Sequence, residues 1–173
     1  INEITDPKKV TTGNLFTKIG ADGLATVRKQ DKLAAAYVFL SQGTPFINGG
    51  QEFLRTKRGD ENSHESSDQK NAIDLSFKET YSDVYNTYKG LIALRKANPS
   101  AFGANTSASA TKVKTGVTKY TTGDFLVYFN ATDADVAIDA TGCTKSVDVS
   151  SGTPTDAAVP AKVAAKSFVI LKK

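Results

Sequence analysis

The residues with chemical potential in this chain gather between positions 49 and 76. That stretch holds Glu52, Arg55, Asp60, Asn62, Ser63, Asp68 and Asn71, together with the chain's only histidine, His64. Several reactions can be tested against these types and spacings. A nucleophile–base pair of Cys143 with His64 would need an orienting third group, and the two lie in different predicted domains with no such motif. The run Asp60-Glu61-Asn62-Ser63-His64-Glu65 opens like a calcium loop. Its sixth position is Glu65 instead of glycine and its twelfth is Asn71 instead of glutamate, so the helix-loop-helix calcium pattern fails and no metal site is expected. With one cysteine, Cys143, neither an internal disulfide nor a multi-cysteine zinc site can form; the bland reading is a small apolar filler near a turn. Asn105-Thr106-Ser107 and Asn130-Ala131-Thr132 match the glycosylation acceptor pattern, which arises often by chance and would be silent in a bacterial protein.

The elements that must carry these residues follow from composition and periodicity. The chain has 173 residues, 39% hydrophobic and 23% charged, enough for a packed core. Its formal charge of +4 is scattered, so no nucleic-acid partner is implied. The longest apolar stretch, Leu33 to Leu40, is too short for a membrane span. No signal peptide is visible, and the absence of methionine suggests a piece of a longer protein. Every Arg and Glu lies before residue 100, whereas Thr, Ser, Val and Ala dominate after it. Straight-chain residues favour helix and β-branched ones favour strand. A boundary is therefore placed at Asn98-Pro99, with residues 1–99 and 100–173 as two domains.

Within the first part, Leu24, Val27, Leu33, Ala36, Tyr37 and Leu40 recur at roughly helical spacing, starting from Asp22 or Gly23 and stopping at Gly43. Thr44 to Asn48 reads as a short buried strand, and residues 49–76 as a long loop of the kind that is usually functional. A second helix carries Val84, Tyr88, Leu91, Ile92 and Arg95 on one face and ends before Pro99. The second part reads as about six antiparallel strands: Val113 to Tyr120, Phe125 to Asn130, an alternation at Val136, Ile138 and Ala140, Ser146 to Val149, and Ser167 to Leu171, with turns at Gly123, Gly152 and Pro160. That is a small sandwich, in which Tyr120, Phe125, Tyr128, Phe129 and Phe168 are expected mostly in the core. Because a lone strand between two helices leaves its edges open, the first part is expected to belong to a larger α/β sheet or barrel.

The segment from Lys32 to Asp74, and above all Gly43–Phe53 (GTPFINGGQEF), resembles the end of the catalytic barrel of the α-amylase family of glycoside hydrolases. The continuation into LRTK, Gly59-Asp60-x-Asn62-Ser63 and Ser66-x-Asp68 is similar to type I pullulanases, which debranch α-1,6-glucosidic links. Tyr88–Pro99 (YKGLIALRKANP) resembles the last barrel helix. Thr121–Thr132 and Pro160–Lys173 resemble the C-terminal sandwich domain. The resemblance implies an α+β fold: the last elements of a (β/α)8 barrel, with Thr44–Asn48 as its eighth strand, followed by an antiparallel β-sandwich. In such a barrel the loop 49–76 overlies the substrate cleft, and its side chains suit the many hydroxyls of an α-glucan. Asp68 and Asn71 match positions lining outer donor subsites. Asn62 and Ser63 are further substrate-binding candidates. So are Glu52, otherwise paired with Arg55 or with a backbone N–H at the barrel mouth, and Arg55, otherwise held in a buried ion pair. Glycosidic cleavage needs two carboxyl groups about 5 to 10 Å apart. The resemblance puts these on earlier strands, with a further acid behind a histidine; His64 is followed by Glu65, and Ile1–Val10 hold no such pair. No catalytic residue is therefore expected here, no cofactor is implied, and the chain alone is expected to be inactive. Its implied partners are pullulan, glycogen or branched dextrins and the missing N-terminal barrel. The apolar faces of Tyr37, Leu40, Phe46 and Ile47 should be covered by self-association or by docking on the sandwich. An α-amylase, a glycogen debranching enzyme and a non-enzymatic carbohydrate-binding module are the rival readings. Low cysteine content fits the cytosol and many secreted bacterial enzymes, with a slight preference for a secreted or cell-surface setting.

Overall fold

The computed structural model describes residues 15–55, 57, 60, 62–104 and 106–173, with side chains from residue 23 onward. Ile1–Val10, Glu61 and Asn105, on which expectations were placed, lie outside these residues. Helix α1 runs Leu15–Leu40. It begins two turns before the expected start and carries Gly20 and Gly23 inside it, a tolerable penalty of about 1 kcal/mol each. Its end is held by a side chain from far along the sequence. Arg95 donates to the carbonyls of Phe39 at 2.8 Å, Ser41 at 2.7 Å and Gly43. A helix C-terminus leaves its last carbonyls without partners, and one guanidinium here serves three oxygens at this one.

Thr44–Asn48 does not form the expected buried strand: it pairs with no described strand, and Phe46 is 87% exposed. Exposure nevertheless alternates, with Thr44, Phe46 and Asn48 exposed and Pro45 and Ile47 half-buried. The period-two pattern of a strand is present, but ladder hydrogen bonds need a neighbour that no described segment supplies. After it come the short helices α2 (Asp68–Asn71) and α3 (Phe77–Thr80), then α4 (Ser82–Ala97) and α5 (Pro99–Phe102). Helices α1 and α4 lie against each other, with Asp83 of α4 accepting from Lys32 at 2.9 Å and from Arg28.

Eight strands follow: β1 (Ala108–Lys114), β2 (Val117–Thr122), β3 (Phe125–Asn130), β4 (Val136–Ala137), β5 (Lys145–Asp148), β6 (Thr155–Ala157), β7 (Lys162–Val163) and β8 (Ser167–Lys172). The expected single strand from Val113 to Tyr120 is two strands joined at Thr115-Gly116. Gly116 has φ 78°, the left-handed conformation a tight hairpin turn requires. The main sheet is antiparallel in the order β1-β2-β3-β8-β5-β6, and β4 pairs with β7 as a separate ribbon. All six residues of the central strand β3 are buried. Its alternation sorts them to two cores. Phe125, Val127 and Phe129, with Ile170, meet Leu33, Phe39, Leu40, Leu91 and Leu94 of the helices. Leu126 and Tyr128, with Val117 and Leu171, meet Val136 and Val163 of the ribbon. The chain is thus α+β, an antiparallel sheet between a helical layer and a β-ribbon.

Docking of the helices on the sheet, one of the two expected ways of covering their apolar face, is what the structure shows. Leu40 is fully buried, Ile47 packs on the same core, and Tyr37 stacks on Phe129 with ring centroids 3.9 Å apart. The sheet aromatics are core residues as expected, and Cys143 is half-buried against the ribbon-side core. The tightest approach lies at Gly90 in α4, where a Cβ would sit 2.2 Å from the carbonyl oxygen of Val149. Gly90→Ala gains helix propensity of about 1 kcal/mol but forces helix and sheet apart, a penalty of about 1–3 kcal/mol. The expected outcome in urea denaturation is a lower midpoint for Gly90→Ala, against the propensity trend.

Candidate functional site

The candidate loop is built from one tight turn and two short polar clusters. At Gly50 (φ 93°) the chain reverses, and a Cβ there would lie 2.7 Å from the Cβ of Arg55, so both the angle and the space require glycine. The turn closes through Gln51 N–H to Asn48 O (3.0 Å), Phe53 N–H to Gly50 O (3.2 Å) and Arg55 N–H to Gly50 O (2.9 Å). Glu52 accepts the Gly50 N–H at 3.0 Å. Of its two readings, the structure therefore shows the carboxylate satisfying a backbone N–H. Arg55 forms no ion pair among the described residues, contrary to its buried-pair alternative. It donates to Gly49 O at 3.2 Å and to Asn71 O, tying the two ends of the loop together. Carbonyls fill this role because the turn presents them.

Asn71 is the hub of the first cluster. Its Nδ2 donates to Ser63 O at 2.8 Å and Ser66 O at 3.0 Å, and its Oδ1 accepts from Lys57 Nζ at 3.1 Å. Lys57 also donates to the hydroxyl of buried Ser63 at 2.6 Å. In the second cluster Asp60 accepts from Lys70 Nζ at 2.6 Å, from Ser66 Oγ and from Asn62 N–H at 3.2 Å. The Lys70 hydrogen bond, then the Ser66 one, pull the Asp60 carboxyl down to about 2. Asp60 is thus a fixed carboxylate at neutral pH and a poor proton donor. Asn62 lies exposed with its Oδ1 2.8 Å from His64 Nδ1. Asp68 is exposed, with no side-chain partner among the described residues.

Of the six predicted residues, Arg55, Ser63 and Asn71 are brought together, Glu52 braces the adjoining turn, and Asn62 and Asp68 face outward. Lys57 and Lys70 were missed by sequence reasoning, since no periodicity marks which lysine of a polar loop turns inward. Asp31 was missed too. It is fully buried in α1, in line with Val27 and Ala35, and that interruption of an apolar stripe was a readable signal. None of the six borders the groove of about 380 Å³ between α1, β5 and β8, which Lys29, Lys32, Val147 and Phe168 help to line. No group of three His, Cys, Asp or Glu suited to a metal occurs among the described residues.

Two outcomes follow for the loop. Removing the amide in Asn71→Ala takes one hydrogen-bond partner each from Lys57, Ser63 O and Ser66 O, a loss of about 1–3 kcal/mol, expected as faster amide exchange at Ser66, whose N–H bonds to Ser63 O. For Asp60 the folded pKa lies below the ordinary 3.8. Its stabilisation is therefore complete above about 3.8 and is lost as pH falls toward 2. Carboxyl NMR should show Asp60 titrating nearer 3.8 in Lys70→Gln than in the parent chain.

No family model matches the chain. Over 72 residues, 42% of the chain, it is 50% identical to the pullulanase of Bacillus subtilis (strain 168). Over 80 residues it is 32% identical to the isoamylase of Pseudomonas amyloderamosa. It spans about 10% of the length of each of these curated relatives. The crystal structure of a pullulanase from Anoxybacillus sp. LM18-11 complexed with maltotriose superposes with a TM-score of 0.72 at 28% identity, over 92% of this chain and 24% of that one. In sequence and in fold alike, the chain matches part of the C-terminal region of the type I pullulanases.

Proposed function

We propose that this chain is the C-terminal portion of a starch-, glycogen- or pullulan-debranching glycoside hydrolase. Residues 1–99 close its catalytic barrel, and residues 100–173 form a sandwich domain that braces it. The observation that carries this reading is the Gly43–Asn71 segment. A strand-like stretch with no strand partner among the described residues and an outward Phe46 leads into a turn requiring Gly50 and a loop rich in polar side chains. Such a stretch is complete only with a further strand beside it. The pullulanase similarity supports the reading, as does the maltotriose bound by one structural relative.

The reaction proposed for the whole enzyme is hydrolysis of α-1,6-glucosidic links with retention, through one carboxylic acid that protonates the leaving oxygen and one carboxylate nucleophile about 5 Å from it. The described loop supplies neither. Glu52 is spent on a backbone N–H, and Asp60 is held ionised by Lys70. This part instead shapes the cleft: Asp68 and Asn62 offer acceptors and donors to glucose hydroxyls, while Arg55, Ser63 and Asn71 hold the loop that presents them. The 173-residue chain alone is expected to release no reducing ends from pullulan, and the chain joined to its upstream barrel is expected to do so; turnover by the chain alone would overturn the reading. In the joined enzyme, Asp68→Ala should raise KM for pullulan about fivefold, near 1 kcal/mol, with kcat little changed. The isoamylase similarity supports a second reading, a debranching enzyme of isoamylase type. Comparing turnover on pullulan with turnover on glycogen separates the two.

A further inference from the structure

Asp31 is a fully buried carboxyl whose role the loop description does not use. It sits where α1 faces α4. Its Oδ1 accepts from the hydroxyl of buried Tyr88 at 3.3 Å, and its Oδ2 is buried with no partner. The Tyr88 hydroxyl in turn accepts from Gln51 Nε2 at 3.1 Å. Gln51 closes the series by taking the Asn48 N–H on its Oε1 at 3.3 Å. A single line of hydrogen bonds thus runs from the helix interface to the turn that opens the candidate loop, and it has one polarity: amide to phenol, phenol to carboxyl.

We propose that Asp31 is a positioning residue that seats the Gly49–Arg55 turn through Tyr88 and Gln51, and that loss of its proton loosens this seat. The inference stands whichever glucan the longer protein cuts. Among the described residues, three ionisable side chains bear on the relay. Tyr88 of α4 is kept protonated because burial, and next the Asp31 charge, push its phenol up. Lys32, next to Asp31 in α1, is engaged by Asp83 at 2.9 Å and supplies no contact cation. Glu52 of the turn, whose charge acts on the Tyr88 hydroxyl, is occupied by the Gly50 N–H. A carboxylate at Asp31 would therefore be a buried charge with one long hydrogen bond, and Oδ2 would draw water between the helices. Burial raises its pKa to about 7, against the lowering effect of the Tyr88 hydrogen bond. The folded chain holds this proton more tightly than the unfolded one. The contribution is complete below 3.8 and is lost as pH rises toward 7.

The test combines carboxyl-carbon NMR titration of Asp31 with amide exchange, corrected for intrinsic rates, in the 173-residue chain from about pH 5 to about pH 9. The probes are the hydrogen-bonded amides of Gln51, Phe53, Leu54 and Arg55. In the parent chain their protection should fall on the order of tenfold as Asp31 ionises near neutrality. In Asp31→Asn it should stay at its low-pH level throughout. In Tyr88→Phe, which keeps the ring, Asp31 should still titrate while the turn amides no longer follow it; this variant decides the matter if Asp31→Asn does not fold. Titration of Asp31 in the ordinary carboxyl range, or a turn that responds to pH equally in Asp31→Asn or Tyr88→Phe, would overturn the proposal.

Discussion

The structure depends on the closure of one sheet face by two helices. Phe125, Val127, Phe129 and Ile170 project from the central strands into a layer made by α1 and α4. Burying each such side chain contributes roughly 2 kcal/mol, and Phe102 of α5 extends the layer over Phe125, with ring centroids 5.0 Å apart. The approach is close because Gly90 lets α4 come into backbone contact with the segment after β5. The opposite sheet face is smaller and is closed by the β4–β7 ribbon. Strand β3 is buried on both sides: Phe125–Phe129 supply its aromatic and aliphatic surface, and the buried Asn130 at its end is satisfied by the carbonyls of Ala134 and Ala164.

This closure also dictates where the candidate loop begins. With α1 held against α4 and the sheet, the α1 C-terminus is fixed, and Arg95 anchors the alternate carbonyls of Phe39, Ser41 and Gly43. From there the chain has only Thr44–Asn48 in which to reach the Gly50 turn. The loop beyond it has little apolar content and is ordered by polar contacts instead. Arg55 and Asn71 draw its ends together, and Lys57 and Lys70 neutralise its interior. Many of its polar groups serve one another, while Asp68 and Asn62 are among those that face outward.

Element types were legible wherever one periodicity prevailed over enough residues. The stripe through Val27, Ala36 and Leu40, the run Phe125–Asn130 and the helix ending before Pro99 all appear where their patterns place them. Two misreadings have local causes. The hairpin turn at Thr115-Gly116 was overlooked because lysines and threonines on both sides continue a strand pattern across it, so only the glycine marked the reversal. Thr44–Asn48 carries strand alternation without a strand, because pairing belongs to a neighbour and cannot be encoded in the segment alone. The glycines and polar residues of the loop were legible as a motif, but not their assignments. Glu52 and Arg55, three positions apart, read as a natural ion pair, whereas the geometry of the turn sends each to backbone groups.

By itself the sequence determined most of the helix and strand content and a resemblance carried by Gly43–Asn71. Those features are written in local pattern, in which each residue's neighbours along the chain set its preference. Tertiary structure alone decided that Arg95 caps α1, that Tyr37 lies on Phe129, that Asn71 holds a loop together, and that Asp31 is sealed beneath the turn. These depend on contacts between residues roughly 10 to 90 positions apart. Such contacts follow from how apolar faces are shared among elements, and hydrogen-bond partners are assigned only after that sharing has fixed which polar groups lose their water.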